Sequence, residues 1–161
     1  MSLRTAWTLA ATFAWLSCMP AMAADDAADV KIVMDKFVKA WETNDISLID
    51  AIVAKDKDAV WIGTDAAEVY VGYEPLRGST AKQFGLYQGT KLTLKDLSIK
   101  LSASRSVAWA TATVDVATRT GGENVSVPGT RLTVVLEKRQ GSWVMVHMHW
   151  SVPVQGQAVK Y

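Results

Sequence analysis

The chain has 161 residues, and its 17 Lys and Arg residues against 16 Asp and Glu residues give a formal net charge of +1. No basic cluster stands out, so nucleic acid and anionic membrane surfaces are excluded as expected partners. The only cysteine is Cys18, so the chain cannot form an internal disulfide framework and its stability must come from packing.

The first residues have the pattern of a secretory signal peptide. Arg4 precedes an apolar stretch, and Ala21-Met22-Ala23 supplies the small residues of a cleavage site. The apolar stretch is shorter than the about 20 residues that span a membrane. We therefore predict a signal peptide over 1–23, a single domain over 24–161, a periplasmic or secreted location, and no stable membrane insertion after cleavage.

Three helices and two short strands are predicted in the first half of the domain. Apolar residues recur at helical spacing in two segments, and a third helix opens at a glycine with a proline in its first turn. The predicted helices are Asp29–Trp41, Ser47–Val53 and Gly72 to about Tyr87. The short strands are 58–63 and 68–72, separated by a turn at 64–67.

Long strands are predicted from Leu92 onward, because apolar and polar residues alternate between turn signals. These strands are 92–102, 106–118, 128–139 and 142–153. Helices followed by an antiparallel meander predict an α+β fold. We expect a curved antiparallel sheet, packed by three N-terminal helices into a cone with a mouth.

Five polar residues fall on one face of the last two predicted strands: Arg131, Thr133, His147, His149 and Ser151. Burying such groups without partners costs about 1–3 kcal/mol each. The cluster therefore indicates either a hydrogen-bonded network or the lining of a pocket.

Regular pairing across the turn at 139–141 places Arg131 opposite His149, and Thr133 opposite His147. The arginine would disfavour a charged imidazole and present donors to a carboxylate of the protein or of a ligand. The protein's own carboxylates available to it are Asp115, Asp65 and Glu68. The alternative is a satisfied structural network of the arginine, a carboxylate and the histidine.

His147 and His149 are also an i, i+2 pair that could offer two imidazoles to a metal. A zinc site requires a third ligand and supporting second-shell groups, and the pattern supplies neither. We therefore predict no metal site.

Asp65 and Glu68 lie at the turn between the two short strands. A carboxylate at the mouth of the cone could act as a general base. In the alternative interpretation, Asp65 caps the turn through its own backbone, and Glu68 pairs with Arg131 or a lysine.

Five tryptophans follow the predicted signal peptide: Trp41, Trp61, Trp109, Trp143 and Trp150. Aromatic walls are typical both of small-molecule pockets and of small cores. We predict that Trp143 belongs to the core. Trp61 and Trp109 are predicted to form the pocket wall, because each alternates with polar neighbours.

Several short motifs follow one another over nearly all of 24–161. They are Phe37 with Trp41, Ile62-Gly63-Thr64-Asp65 with Glu68, Gly72-Tyr73, Ala108-Trp109-Ala110, Asp115, Gly129-Thr130-Arg131-Leu132-Thr133, Gly141-Ser142-Trp143, and His149-Trp150-Ser151 with Pro153. In this order they resemble the SnoaL-like group of the nuclear transport factor 2-like superfamily.

The resemblance implies a cone-shaped α+β fold, a cavity between the first helices and the concave sheet face, and often a dimer through the sheet. It does not imply one function, since the superfamily includes isomerases, dehydratases, cyclases, transport adaptors and an association domain. The isomerase pattern is incomplete here, because no tyrosine and aspartic acid are clearly placed as its oxyanion pair, although Tyr70 and Tyr73 are nearby.

We predict an exported, homodimeric domain that binds a small, possibly anionic ligand and uses no cofactor. The candidate ligand-binding residues are Trp61, Asp65, Glu68, Trp109, Asp115, Arg131, Thr133, His147, His149 and Ser151. Whether the protein is an enzyme stays open. One alternative is a cofactor-free isomerase, dehydratase or cyclase that uses His149, Asp65 or Glu68 as the base, with Arg131 stabilising an oxyanion. A second alternative is a structural dimerisation module with a filled cone.

Overall fold

Three helices precede most of a six-stranded sheet in the computed structural model. The structure describes residues 19–156 and 159, with the backbone alone for 19–25, so most of the predicted signal peptide over 1–23 lies outside it. The helices are α1 (Met19–Thr43), α2 (Ile46–Ile52) and α3 (Tyr73–Leu86). The strands are β1 (Val60–Ile62), β2 (Val69–Val71), β3 (Gln88–Leu101), β4 (Val107–Thr120), β5 (Glu123–Arg139) and β6 (Ser142–Ser151). Within these described ranges, no helix has the length and apolarity needed to cross a membrane.

The strands form one sheet in the order β2-β1-β6-β5-β4-β3. Neighbouring strands are antiparallel except for β1 and β6, which run parallel. The sheet is curved and not closed into a full barrel. This arrangement confirms the predicted α+β class, and the parallel pair is a difference from the antiparallel sheet that the sequence predicts.

Local sequence explains where the helices begin and what they bury. The side chain of Asp45 caps α2 by accepting a hydrogen bond from the backbone N–H of Ser47 at 2.9 Å. Along α1, the buried face carries Val30, Met34 and Phe37, which belong to the same core as the inner residues of β4, β5 and β6. This packing sets the helices across one face of the sheet.

The hairpin between β4 and β5 is longer than the alternation pattern predicts. Gly121 and Gly122 have φ angles of 58° and 87°, a left-handed pair that glycine adopts without strain. Such a pair makes a two-residue turn whose twist matches that of the strands, so Thr120 and Glu123 are already paired. Both strands therefore continue to the turn, and β5 begins at Glu123 rather than at 128.

A β-bulge in β6 changes which residues face the core. Val146 is the extra residue, because the pairing with β5 skips it. Before the bulge, the odd-numbered Trp143 and Met145 are buried, and after it the even-numbered Met148 and Trp150 are buried. The inward face of β6 thus switches along the strand.

The turn and the bulge together make the predicted register wrong. Arg139 rather than Lys138 lies opposite Ser142, and the bulge adds a further shift of one residue. Arg131 lies opposite Ser151 rather than His149, and Thr133 lies opposite His149 rather than His147. These residues do share one face of the sheet, as the alternation predicts. That face is the outer one.

The carboxylate of Asp26 connects the start of α1 to two hairpins of the sheet. Asp26 is only 3% exposed and accepts hydrogen bonds from the Lys138 ammonium, at 2.5 Å, and from the Arg105 guanidinium. The bonds from Lys138 and then from Arg105 hold the pKa of Asp26 below its ordinary value. The charged form is therefore the one that the fold stabilises.

Replacing Asp26 by asparagine is expected to destabilise the protein at neutral pH and to weaken its acid sensitivity. Because the folded-state pKa is lowered, the stabilisation is fully present above the unfolded-state pKa of about 3.9. It is lost as the pH falls through the folded-state pKa. Thermal unfolding between pH 7 and pH 2 measures the difference between wild type and Asp26→Asn. The control is Asp35→Asn, which removes an exposed pair with Lys31. Identical pH profiles for the two variants would contradict the expectation.

Candidate functional site

A cavity of about 230 Å³ lies between the helices and the concave face of the sheet. It is lined from α1, from the β1–β2 hairpin, from the inner side of α3, and from β3, β4, β5 and β6. Most of its wall is apolar, and its volume falls under the about 300–1,000 Å³ of drug-sized pockets. The cavity therefore suits a small molecule. It also differs from the filled cone that a purely structural module predicts.

Aromatic side chains make one end of the cavity rigid. The Trp41 ring meets Phe84 edge to face, with ring centroids 5.1 Å apart, and meets Trp150 with centroids 6.1 Å apart. The Trp150 indole N–H donates to the Thr130 hydroxyl at 2.8 Å, which fixes the ring. An apolar ligand would thus meet a preformed surface.

Trp61 continues this aromatic wall on β1. It lines the cavity, it is 1% exposed, and it is among the largest fully buried side chains of the described chain. Its indole N–H and that of Trp41 have no hydrogen-bond partner among the described residues. Both are fully buried donors in the cavity wall.

Glu68 holds the turn between β1 and β2 at the cavity wall. One carboxylate oxygen accepts from the backbone N–H of Thr64 at 2.8 Å, from that of Asp65 at 3.1 Å, and from the Thr64 hydroxyl at 3.3 Å. The other oxygen accepts from the Gln83 amide at 3.2 Å. Four donors on two oxygens are the pattern of an ionised carboxylate.

Gly63 makes room for this carboxylate. A Cβ atom added at Gly63 would lie 2.3 Å from Oε2 of Glu68 and 2.7 Å from its Cβ. The second distance involves an atom close to the backbone, so a side chain at position 63 and the observed position of Glu68 exclude each other.

The hydrogen bonds continue from Glu68 along α3 to Tyr70. The Gln83 amide nitrogen, which donates to Glu68, also approaches the Ser79 hydroxyl at 3.4 Å. Ser79 donates to the Tyr70 hydroxyl oxygen at 2.7 Å. We call Glu68, Gln83, Ser79 and Tyr70 the polar wall. All four residues line the cavity.

The electrostatics of the cavity are set by a single charged residue. Among the described residues that line it, Glu68 is the only carboxylic acid, and none is a lysine, arginine or histidine. Burial, followed by the charges of Glu68 and Asp65, raises the pKa of Tyr87. The Tyr87 side chain is therefore a neutral phenol at physiological pH. The cavity offers no cation to an anionic ligand.

Two of the predicted ligand-binding residues, Trp61 and Glu68, line the cavity. The rest lie elsewhere: Asp65, Trp109, Asp115, Arg131, Thr133, His147, His149 and Ser151. Asp65 is exposed in its turn, and the others point from the outer face of the sheet. These eight residues do not line this cavity. Alternation along β5 turns Leu132, Val134 and Leu136 inward, and the bulge in β6 turns Met148 and Trp150 inward.

The predicted network of Arg131, His149 and a carboxylate is absent from the described residues. Arg131 donates to the carbonyl oxygen of Val152 at 2.9 Å, and His149 is exposed. The Nδ1 atom of His147 lies 2.7 Å from the carbonyl oxygen of Val60, to which it donates. Among the described residues, no group of three His, Cys, Asp or Glu side chains could hold a metal ion.

Asp115 has a structural role at a bulge of β4. Its carboxylate accepts from the backbone N–H of Gly129 at 2.9 Å and pairs with the Lys95 ammonium at 2.5 Å. The Lys95 bond, followed by that from Gly129, lowers the pKa of Asp115. These bonds use the carboxylate on the outer side of the sheet, away from the cavity.

The roles expected of Asp65 and Glu68 are partly exchanged. The sequence interpretation has Asp65 capping the turn, but Glu68 supplies the side-chain oxygen that does so. Glu68 was also expected to pair with Arg131 or a lysine, and its partners are the turn amides and Gln83. It does lie at the cavity, as predicted for a candidate base.

Sequence reasoning missed the polar residues of α3 and gave no role to Tyr70. The missed signal is the spacing of Leu76, Ser79, Thr80 and Gln83, which recur at helical intervals and all line the cavity. A mixed apolar and polar stripe on a core-facing helix marks a cavity rather than a packed interface.

The helices across a curved sheet and the cavity inside the cone define the class of nuclear transport factor 2-like domains. The SnoaL-like domain family matches residues 30–155, and the chain belongs to this family. The resemblance stated from the sequence is thereby confirmed. A comparison with curated proteins finds no match.

Solved structures share the fold at low identity. A nuclear transport factor 2-like superfamily protein from Salmonella enterica has a TM-score of 0.76 at 15% identity, with 86% of this chain and 99% of that chain covered. A candidate dehydratase of this superfamily from Streptomyces avermitilis has a TM-score of 0.73 at 17% identity, with 82% and 99% covered. An uncharacterised protein with a cystatin-like fold from Caulobacter vibrioides has a TM-score of 0.68 at 18% identity, with 81% and 92% covered.

Proposed function

We propose that this domain binds a small, neutral and largely apolar molecule in the cavity. The observation that carries the proposal is the combination of aromatic surfaces with one ordered polar wall in a cavity of about 230 Å³. Pockets for small molecules have this composition, in which apolar area supplies affinity and a few polar groups fix orientation.

Charge favours a neutral ligand over the anionic one that the sequence suggested. That suggestion depended on Arg131, which is exposed on the outer face. An anion in the cavity would lose its hydration and would meet Glu68 without a compensating cation among the described lining residues. A neutral molecule loses less hydration free energy on entering the cavity and is not repelled by Glu68.

We propose that the domain works outside the cytoplasm after cleavage at Ala23. The support is the arrangement of Arg4, the apolar stretch and Ala21-Met22-Ala23. Its ligand would then be a compound that reaches the periplasm or the medium.

Filling the cavity is expected to abolish ligand retention. Val116 lines the cavity, whereas its neighbour Ala117 is exposed on the opposite face of β4. Val116→Trp should therefore remove at least 90% of any small molecule that mass spectrometry detects in natively purified protein, and Ala117→Trp should retain it. Both variants need a melting transition like that of wild type. Wild-type protein that carries no molecule and binds none from a library of neutral aromatic compounds would contradict the proposal.

A cofactor-free isomerase, dehydratase or cyclase is the second candidate function. Glu68 and the hydroxyl of Tyr70 lie on one wall, as a base and a hydrogen-bond donor for a carbonyl compound would. Three of the four hydrogen bonds to Glu68 are on one carboxylate oxygen, so the other oxygen, which accepts only from Gln83, is the one available to take a proton. If the protein converts a carbonyl compound and the Glu68→Gln variant does not, catalysis would replace ligand binding as the first candidate function.

We also propose that two copies associate through the outer face of the sheet. Trp109, Val135 and His147 form one row across three strands, and Thr111, Thr133 and His149 form the next row. The two rows contain no Lys, Arg, Asp or Glu, so two copies can face each other without like-charge repulsion. The concentration dependence of sedimentation tests this association.

A further inference from the structure

We infer that the cavity selects a neutral ligand carrying a carbonyl group, and that the Tyr70 hydroxyl donates the hydrogen bond which recognises it. This inference rests on the proposed small-molecule binding. It adds the chemical class of the ligand and the residue that determines it.

The first step is an account of the protons in the polar wall. The Gln83 side-chain amide has two hydrogens, and its two bonds, to Glu68 and to Ser79, use both. The Ser79 hydroxyl accepts the hydrogen bond from Gln83 and donates its own hydrogen to the Tyr70 oxygen. The Tyr70 proton has no acceptor among the described residues. Within the described part of the chain, the Tyr70 hydroxyl is therefore the unpaired donor at the end of this series of hydrogen bonds.

The donors and acceptors in this series of hydrogen bonds are assigned starting from Glu68. Glu68 is held by four donors and can only accept. Gln83 therefore presents its nitrogen to Glu68 and to Ser79, and the Ser79 hydroxyl donates to the Tyr70 oxygen. Hydrogen bonds in a chain polarise one another, which favours donation from the terminal hydroxyl. The polar wall thus presents a donor to the cavity.

The second step is the position of Tyr70 beside the aromatic wall. Tyr70 on β2 is paired with Trp61 on β1, and both residues line the cavity. Side chains paired across antiparallel strands start about 4.5–5.5 Å apart on the same face. A flat apolar ring that packs on Trp61 would therefore bring an acceptor substituent within reach of the Tyr70 hydroxyl.

The third step is the exclusion of charged acceptors. A carboxylate would also accept from Tyr70, but it would enter a cavity whose charged lining residue is Glu68. Like charges in a desolvated site repel strongly. A ketone or an amide accepts the same hydrogen bond without this repulsion.

Three probes with one ring system test the inference on the full chain. They are 2-acetylnaphthalene, its isosteric olefin 2-isopropenylnaphthalene, and 2-naphthoate, each measured by equilibrium dialysis at pH 7 with wild type and with Tyr70→Phe. We expect wild type to bind the ketone about three- to tenfold more tightly than the olefin, the range of one net hydrogen bond. Tyr70→Phe should remove this preference and leave the affinity for the olefin unchanged.

Two further variants distinguish recognition from loss of structure. Tyr73→Phe removes a hydroxyl that donates to Asp50 outside the cavity lining, so it should keep the preference for the ketone. Ser79→Ala removes the donor that orients Tyr70 and should reduce the preference without changing the affinity for the olefin. Ser79 is a positioning residue in this scheme, since its effect on the ligand passes through Tyr70.

Each other outcome overturns the inference in a recognisable way. Equal binding of ketone and olefin by wild type and by Tyr70→Phe would leave the proposed binding function intact and refute the role of Tyr70. Tighter binding of 2-naphthoate than of the ketone would refute the neutral class of ligand. Failure of all three probes, together with no small molecule retained from the cell, would refute the proposed function and the inference with it.

Discussion

Replacing Gly63 by alanine is expected to destabilise the protein by about 1–3 kcal/mol, the usual cost of an added methyl group in a filled site. The new Cβ would lie 2.7 Å from the Cβ of Glu68, so either the turn at 64–67 or Glu68 must move. Both movements break the bonds between Glu68 and the turn amides. Because the same carboxylate orients Gln83, any preference for a ketone ligand should disappear as well. Urea unfolding and the dialysis series measure the two effects.

Gly78→Ala is the matched control for this variant. Gly78 lies in α3, and no heavy atom is within 4 Å of a Cβ added there. Alanine in a helix interior is favoured over glycine by about 1 kcal/mol, so this variant should be as stable as wild type or more stable. A Gly63→Ala protein that matched Gly78→Ala in stability and ligand preference would show that Glu68 does not depend on the space at Gly63.

Trp61→Ala is expected to cost about 3–5 kcal/mol of unfolding free energy, because it deletes a large buried ring. Trp61 is 1% exposed and packs within the core between the helices and the sheet. The variant should also enlarge the cavity and lower the affinity for flat aromatic ligands. Denaturant unfolding, extrapolated to zero denaturant, gives the free energy.

Trp109→Ala is the contrasting substitution, since the sequence pattern assigns both tryptophans to the pocket wall. Trp109 is 43% exposed on the outer face. Its removal should change the unfolding free energy of the protomer by less than about 1 kcal/mol, as for most surface positions. It should also weaken the proposed dimer, which sedimentation over a range of concentrations detects. Equal losses of stability from the two substitutions would contradict the placement of Trp61.

Much of the fold follows from local patterns in the sequence. The apolar stripes of α1 and α2, the glycine before α3, and the alternation of β4 and β5 each predict the right type of element. The ends of the strands were less predictable. The left-handed pair Gly121-Gly122 permits a tighter turn than a four-residue loop, and it lengthens both adjoining strands.

The site was harder to predict than the fold, and one residue accounts for the three misplaced residues of β6. A strand with a strict period of two sends alternate residues to opposite faces, so an unrecognised insertion reverses every assignment beyond it. Val146 is such an insertion. The polar residues at 147, 149 and 151 therefore share a face, as predicted, but that face looks away from the cavity.

Trp61 was identified from its alternation with polar neighbours, and Glu68 because it adjoins a turn whose geometry is local. Tyr70, Ser79 and Gln83 were not, since none of them belongs to a recognisable motif. Their common role depends on the placement of α3 against the β1–β2 hairpin, a contact between separate elements that spacing within the chain cannot reveal.

The parallel pairing of β1 with β6 has a consequence for the order in which the site forms and opens. Strands β3 to β6 are joined by short hairpins, so the meander can assemble from local contacts. By contrast, β1 meets β6 across a separation of 87 residues, measured from Val60 to His147. Loop closure of this length is entropically costly and slow. We therefore expect the hairpin that carries Trp61 and Tyr70 to join the sheet late in folding, and the amide hydrogens of β1 and β2 to exchange faster than those of β4 and β5. Opening there would uncover the part of the cavity wall that Trp61 and Tyr70 form.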